Sequence, residues 1–202
     1  MKLLQFIAVA LVSYLLGSLN FGVIISHVFL KKDLRNYGSG NAGTTNALRV
    51  MGSRLASLVF IGDIAKGVGA ALLGRSLGLD GGLVALFFVI LGHVYPVYFG
   101  FRGGKGILTT AAAMMVIDWR IALIAIFVFA VIVSLSRLVS LGSITAVALV
   151  PILMVVFHPD PWWYTLVTCI LSGGEIFLHR ANIGRLIHGN ESRVSFHRKP
   201  QP

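Results

Sequence analysis

The sequence predicts an all-α integral membrane protein with about seven transmembrane helices, its N-terminus outside and its C-terminus in the cytoplasm. The 202 residues are 56% hydrophobic and only 12% charged, whereas soluble domains average about 25% charged residues. Mean hydropathy is +0.87, and the apolar runs lack the alternating pattern of a membrane β-barrel. This composition excludes a soluble protein and indicates one transmembrane domain over residues 1–202.

Seven apolar runs are candidate spans, because a helix of about 20 residues crosses the hydrocarbon core. The first continues to Leu30, which is too long for a signal peptide, so we interpret it as a retained span. The fourth is short for a crossing unless it begins in the preceding loop or lies in a thinned region lined by protein. The predicted spans are residues 3–30, 54–74, 81–100, 107–117, 120–137, 142–158 and 162–179.

The basic residues indicate the orientation. If all seven runs cross, thirteen Lys and Arg residues fall on one side and three on the other, with Lys66 inside the second span. Such an excess marks the cytoplasmic side. The net charge of +10 in so apolar a chain favours anionic lipid or substrate over nucleic acid. The cytoplasmic set is Lys31, Lys32, Arg35, Arg49, Arg54, Arg102, Lys105, Arg137, Arg180, Arg185, Arg193, Arg198 and Lys199; the outer set is Lys2, Arg75 and Arg120.

Two charged residues lie three apart inside the second span, Asp63 and Lys66. A charged side chain at mid-bilayer costs at least about 2.5–3.5 kcal/mol, so we expect these two to neutralise each other. The single cysteine, Cys169, allows no intrachain disulfide and implies no cysteine-based metal site.

The first polar cluster is the glycine-rich stretch from Gly38 to Gly52. Its glycines allow a backbone that directs successive N–H groups into one concavity. Thr44 or Thr45 is expected to cap a helix whose first turns carry Asn46 and Arg49. Glycines, a helix N-terminus and an arginine together suit a phosphate group. A flexible polar loop between two spans is the alternative; a dinucleotide site is excluded because no strand precedes the glycines.

The second cluster follows the third span, from Gly92 to Gly106. Pro96 is expected to end the span. A lysine then stands among glycines just before a helix start, a pattern that suits phosphate although the Walker A spacing is absent. An ordinary basic connector is the alternative, and His93 alone is more typical of a hydrogen-bonded interior histidine. The glycine turn consists of Gly103, Gly104, Lys105 and Gly106.

The third cluster lies where the last span leaves the membrane. If the helix continues, His179, Asn182 and either Arg185 or Leu186 follow at three- and four-residue steps on one face. Glu191 is expected to pair with a nearby arginine. A basic tail bound to anionic headgroups would explain the arginines, but not the histidine and asparagine.

Three further polar residues, Arg137, Ser140 and Ser143, flank the turn between the fifth and sixth spans on the same predicted side. A substrate role and a helix-packing role are equally compatible with them.

These clusters, in this order and membrane context, resemble the three motifs of the bacterial acyl-phosphate-dependent glycerol-3-phosphate acyltransferases, the PlsY family. The family's Gly-Ser-Gly-Asn-x-Gly-Ala-Thr-Asn followed by Arg matches Gly38–Arg49. Its Gly-His-x-x-Pro-Val and Gly-Gly-Lys-Gly match 92–106, and its His-Arg-x-Asn-Ile, Arg-Leu and Gly-x-Glu match 179–191. Thr44, Arg102 and Gly184 replace the usual Ala, Lys and basic residue.

The resemblance implies a multi-pass enzyme of the bacterial cytoplasmic (inner) membrane whose site faces the cytoplasm. Such an enzyme moves a fatty acyl group from acyl-phosphate to the 1-hydroxyl of glycerol-3-phosphate. The products are lysophosphatidic acid and phosphate, in the first step of phospholipid synthesis. The implied partners are these two substrates and membrane lipid, with no cofactor, metal or nucleic acid.

The sequence lacks the common acyltransferase signatures. No histidine is followed by Asp five positions later, and the Gly-x-Ser-x-Gly pattern at Gly74–Gly78 follows an apolar span rather than a strand, so it is not a nucleophile elbow. We therefore expect direct attack of the glycerol hydroxyl on the acyl carbon, the leaving phosphate accepting the proton as proposed for the family.

Each predicted site residue has a role on this hypothesis. The expected catalytic residues are Ser39, Arg49, His179 and Asn182. The first two are expected to hold the acyl-phosphate, and the last two to orient the attacking hydroxyl. Glu191 is expected to be structural. The expected substrate-binding residues are Asn41, Thr45, Asn46, Gly103, Gly104, Lys105, Gly106, Arg137, Ser143 and Arg185, with Asn41 and Thr45 at the acyl-phosphate and the Lys105 turn at the phosphate of glycerol-3-phosphate.

A transporter of phosphorylated anions is the alternative from another functional class. It would also need basic glycine loops, but transporters usually show internal repeats and helices broken at the midplane. Here the polar residues cluster at one face and leave no polar path outward. A lipid-binding scaffold, the third possibility, does not explain the glycine turn at Gly103–Gly106.

Overall fold

The computed structural model describes residues 1–194, and over that range it is all-helical, as predicted. Two of the basic residues predicted to be cytoplasmic, Arg198 and Lys199, lie outside the described residues. Two 3₁₀ turns, Leu34–Asn36 and Val97–Phe99, lie in the loops. The α-helices are α1 (Lys2–Ser18), α2 (Phe21–Leu30), α3 (Thr44–Arg75), α4 (Gly78–Val94), α5 (Ile107–Ile117), α6 (Trp119–Ser136), α7 (Val139–Phe157), α8 (Trp163–Leu178) and α9 (Arg180–Ile187).

The predicted apolar runs all coincide with helical structure. In residues 1–194, five stretches are long and apolar enough to cross a membrane, and two further apolar helices are shorter. The short fourth run corresponds to α5, with the bounds expected from the sequence. The five long stretches are Lys2–Leu30, Thr44–Arg75, Gly78–Phe99, Trp119–Ser136 and Val139–Phe157; the shorter ones are Ile107–Ile117 and Trp163–Leu178.

The first predicted span is not one continuous helix. α1 ends at Ser18, Leu19 has a non-helical ψ of 87°, and Asn20 is the N-cap of α2. The Asn20 side chain accepts a hydrogen bond from the N–H of Val23 at 3.2 Å. The break leaves carbonyl oxygens at the end of α1 without the partners that a continuing helix would supply.

The second predicted span, 54–74, begins earlier than expected. α3 starts at Thr44, and its N-cap is Gly43, which has no side-chain capping bond. The prediction that Thr44 or Thr45 caps this helix is therefore wrong. Gly52 has φ 77° and ψ 177° inside α3, so a short first segment precedes the long one. Glycine permits this positive φ because it has no Cβ.

The chain forms two compact units, an N-terminal unit of residues 1–118 and a C-terminal unit that begins at Trp119. In the N-terminal unit, α4 packs against α1 and α3, and α5 packs against α3. Gly17 meets the backbone of Val89 so closely that a Cβ would collide, as small residues allow at helix crossings.

In the C-terminal unit, α7 packs between α6 and α8, and α9 contacts α7 and α8. The Ser172 hydroxyl of α8 donates to the carbonyl of Val147 in α7 at 2.8 Å. A side-chain bond between apolar helices fixes their register as well as their contact.

Candidate active site

The first loop, residues 33–43, is shaped by the buried side chain of Asn46 in the first turn of α3. Its Nδ2 donates to the carbonyl oxygens of Tyr37 at 3.0 Å and Asn41 at 2.9 Å, and at 3.4 Å to that of Leu34. Its Oδ1 accepts from the N–H of Ser39 at 2.9 Å. We predicted that Asn46 binds substrate, but its carboxamide is engaged with the loop, and we assign it a positioning role.

The first loop leaves three predicted substrate groups at the surface near the start of α3. Ser39, Thr45 and Arg49 are exposed, and Asn41 is half-buried. Ser39 is bonded through its N–H to Asn46, the residue that follows Thr45 in the first turn of α3. The first-turn N–H groups of a helix have no intrahelical acceptors and attract anions. Ser39, the N-terminus of α3 and Arg49 in its second turn are therefore all at the surface, and a phosphate site there remains a prediction.

The second loop, residues 95–106, differs from the predicted arrangement of N–H groups. The N–H of Gly103 donates to the carbonyl of Val94 at 3.0 Å, and that of Gly104 donates to the carbonyl of His93 at 3.1 Å. These two N–H groups are therefore engaged inside the protein. The first-turn N–H groups of α5 have no intrahelical acceptors and remain as backbone donors at the end of this loop, next to Lys105.

Arg35 joins the first loop to the second. Its guanidinium donates through Nε and Nη2 to the carboxylate of Asp33, with Nη2 2.7 Å from Oδ2. Its Nη1 donates to the carbonyl oxygens of Phe99 and Arg102, both at 2.7 Å. The hydrogen bond from Arg35 holds the pKa of Asp33 below its ordinary value. We call this arrangement the Arg35 clamp; the sequence had placed Arg35 only among the cytoplasmic basic residues.

In the C-terminal unit, His179 lies buried at the junction of α8 and α9. Its Nδ1 is 2.8 Å from the carbonyl oxygen of Glu175. Because a carbonyl oxygen only accepts, Nδ1 carries a proton and donates to it. This bond fixes the orientation of the His179 ring.

Glu191 is hydrogen-bonded to two polar residues of α9, Asn182 and Arg185. Its carboxylate accepts from Asn182 Nδ2 at 2.7 Å and from Arg185 Nε at 2.7 Å. The predicted pairing of Glu191 with an arginine is confirmed. Burial by itself would raise the pKa of Glu191, but the hydrogen bonds from Asn182 and Arg185, with the Arg185 charge and the nearby Ser140, lower it.

The segment after α9 folds back toward the α6–α7 turn. The N–H of Asn190 donates to the carbonyl of Arg185 at 2.8 Å, and the N–H of Val194 donates to that of Arg137 at 2.9 Å. Arg137 is exposed with φ 61°, while Ser143 is buried in α7. The C-terminal unit thus brings Arg137, Asn182, Arg185 and Glu191 into one hydrogen-bonded region.

A family profile described as glycerol-3-phosphate acyltransferase matches residues 7–189. The chain belongs to this family. Proteins named glycerol-3-phosphate acyltransferase share 37% identity over 201 residues in Clostridioides difficile and 41% over 186 residues in Thermoanaerobacter pseudethanolicus. These alignments cover 96% and 92% of this chain and 98% and 93% of the relatives.

Two solved structures of PlsY (YgiH), an integral membrane glycerol 3-phosphate acyltransferase, have the same fold. The glycerol 3-phosphate form matches with a TM-score of 0.87 and 37% identity, covering 94% of this chain and 96% of that one. The lysophosphatidic acid form matches with a TM-score of 0.82 and 36% identity, covering 94% and 95%. The resemblance to the PlsY family and the integral membrane class are confirmed.

Proposed function

We propose that the chain transfers a fatty acyl group from acyl-phosphate to the 1-hydroxyl of glycerol-3-phosphate, at the inner face of the bacterial cytoplasmic membrane. The observation that supports this most directly is the match, at a TM-score of 0.87, to the glycerol 3-phosphate form of PlsY. The match to the lysophosphatidic acid form of PlsY supports lysophosphatidic acid as the product here. The alternative, transport of phosphorylated anions, has no comparable support.

The first loop is proposed to hold the acyl-phosphate. Arg49 supplies a fixed positive charge, and Ser39, Asn41 and Thr45 supply polar groups beside the N-terminus of α3. Charge-assisted hydrogen bonds to a phosphate are about twice as strong as neutral ones. The apolar helices around the loop suit the fatty chain of the donor.

The second loop is proposed to hold the phosphate of glycerol-3-phosphate. Lys105 and the N-terminus of α5 supply the positive groups. Gly103, Gly104 and Gly106 allow the backbone conformation of the loop. Gly106 has φ 92° as the N-cap of α5, a conformation that favours glycine. Arg137, Ser143 and Arg185 are proposed as further substrate contacts.

The chemical step is proposed to be a direct transfer. The 1-hydroxyl oxygen, oriented by His179 and Asn182, attacks the acyl carbon; the bond from that carbon to the phosphate oxygen then breaks. The leaving phosphate accepts the hydroxyl proton. The protein accelerates the reaction by holding both phosphates in place and stabilising the developing oxyanion.

The proposal is tested with purified protein incubated with acyl-phosphate and radiolabelled glycerol-3-phosphate. We expect labelled lysophosphatidic acid with acyl-phosphate and none with acyl-CoA as the only donor. Absence of product from a folded preparation contradicts the proposed activity. An acyl group found on Ser39 by mass spectrometry, after exposure to acyl-phosphate alone, contradicts direct transfer.

A further inference from the structure

A buried ionic cluster lies in the N-terminal unit, formed by Asp63 and Lys66 of α3 and His93 of α4. The Lys66 Nζ is 2.9 Å from Asp63 Oδ1 and 2.8 Å from His93 Nδ1. The three side chains are between 1% and 4% exposed. The predicted pairing of Asp63 with Lys66 is confirmed, and the structure adds His93 to it. Burying charged side chains costs free energy, and a protein with apolar residues of similar volume in their place is often at least as stable. Helix packing alone therefore does not account for the cluster.

Lys66 also donates hydrogen bonds to the backbone where α1 ends and α2 has not yet begun. Its Nζ donates to the carbonyl oxygens of Gly17 at 3.1 Å and Leu19 at 3.0 Å. These carbonyls lie where α1 ends and would otherwise be short of donors. One ammonium therefore connects the end of α1 and the acidic side chain of α3 to the histidine ring of α4.

His93 extends this connection to the second loop in two ways. Its carbonyl accepts the N–H of Gly104 at 3.1 Å. Its ring lies against the same residue, since a Cβ at Gly104 would collide with Nε2. An ammonium only donates, so Nδ1 accepts from Lys66, and the Nε2 edge that faces Gly104 carries the proton.

We propose that Asp63, Lys66 and His93 are positioning residues for glycerol-3-phosphate. Lys66 fixes the orientation of the His93 ring, and the ring and carbonyl of His93 fix Gly104, next to Lys105 and the start of α5. The cluster acts through the loop and does not touch the substrate. This inference rests on the proposed function, because it assigns the second loop to that phosphate.

The test removes both charges together, so that no unpaired charge stays buried. In the double variant Lys66→Met and Asp63→Leu, we expect a folded protein with a lower unfolding midpoint, because the carbonyl oxygens of Gly17 and Leu19 lose their donor. The KM for glycerol-3-phosphate should rise about 10-fold, because small displacements of a binding group are costly. The KM for acyl-phosphate should change little. A folded double variant with the wild-type KM for glycerol-3-phosphate overturns the inference. Lys2→Met, at the exposed N-terminus, is the control.

A second variant, His93→Gln, keeps the backbone carbonyl and removes the ring. We expect the same selective rise in KM, and no further rise when it is combined with the double variant, since all three substitutions act through one ring. Additive increases indicate separate structural effects and contradict the inference. An unchanged KM in folded His93→Gln contradicts it independently of how the double variant folds.

Failure of this inference is distinguishable from failure of the proposed function. If the wild type makes no lysophosphatidic acid, the proposed function fails. If the wild type is active and the variants keep its KM, only the positioning role fails. Equilibrium binding of radiolabelled glycerol-3-phosphate, measured without a donor, should show the same weakening in the variants as the KM.

Discussion

Asn46 shows how one side chain determines the shape of the first loop. Its carboxamide bonds to four backbone groups between residues 34 and 41 from a buried position. The sequence identified Asn46 as part of a polar motif. It did not reveal whether the carboxamide faces the substrate or the loop, because both arrangements use the same residue at the same spacing.

We predict that Asn46→Ala reduces kcat/KM by at least about 10-fold. The carbonyl oxygens of Leu34 and Tyr37 keep their backbone donors, but the Asn41 carbonyl loses its donor and the Ser39 N–H loses its acceptor. A buried polar group left unpaired costs about 1–3 kcal/mol, so the loop should reorganise. The measurement is steady-state kinetics with both substrates, together with thermal unfolding. Asn36→Ala, at an exposed position of the same loop, is the control. Wild-type kinetics in Asn46→Ala would contradict the assigned role.

Gly104 is a second residue whose role depends on a close contact. A Cβ there would collide with the ring of His93. We predict that Gly104→Ala raises the KM for glycerol-3-phosphate by about 10-fold, because the loop must move away from the ring. Gly69→Ala is the control, since a Cβ at Gly69 meets no atom within 4 Å. An unchanged KM in folded Gly104→Ala would exclude the loop from glycerol-3-phosphate binding.

At the scale of elements, the Arg35 clamp joins two loops that lie far apart in sequence. Its longest hydrogen-bonded link joins residues 67 positions apart. No local pattern predicts such a link, because hydrophobic periodicity and motif spacing report only on neighbouring residues. The sequence placed Arg35 on the cytoplasmic side but could not indicate its partners.

We predict that Arg35→Gln raises the KM for both substrates, since it releases the two loops from each other. Arg35→Lys should raise both KM values nearly as much as Arg35→Gln, because a single ammonium does not reproduce the fork geometry of the guanidinium. Kinetics with each substrate varied in turn provide the measurement. Arg54→Gln, an exposed arginine in the same unit, should leave both values unchanged. A rise in only one KM would contradict a role in joining the loops.

The contacts of Glu191 predict a pH dependence for the C-terminal unit. The pKa of Glu191 in the folded state is below its ordinary value. A carboxylate with a lowered folded pKa contributes stability that is complete above its unfolded pKa, about 4.3, and is lost as pH falls through the lower folded value. The wild type should therefore lose more stability below about pH 4 than Glu191→Gln does. Parallel pH dependences in thermal unfolding would contradict this.

At the scale of the whole molecule, the excess of basic residues predicts which loops share a side of the membrane. The test uses Cys169→Ser as background, with single cysteines introduced by Asn36→Cys, Arg102→Cys, His188→Cys and Ser76→Cys. We expect an impermeant thiol reagent to label the first three in inside-out vesicles and Ser76→Cys in right-side-out vesicles. Labelling of Arg102→Cys and His188→Cys from opposite sides would rule out a common cytoplasmic face for the second loop and α9.

The amino-acid sequence by itself determined the membrane class, the positions of the apolar helices and the family, because hydropathy and motif spacing are local properties of the chain. The tertiary structure alone decided the break at Leu19–Asn20, the engagement of the Gly103 and Gly104 N–H groups, the Arg35 clamp and the approach of His93 to Lys66. These last two residues are 27 positions apart. Many buried acceptors compete for each donor in an apolar interior, and only the packing of the helices decides which of them lies within hydrogen-bond distance.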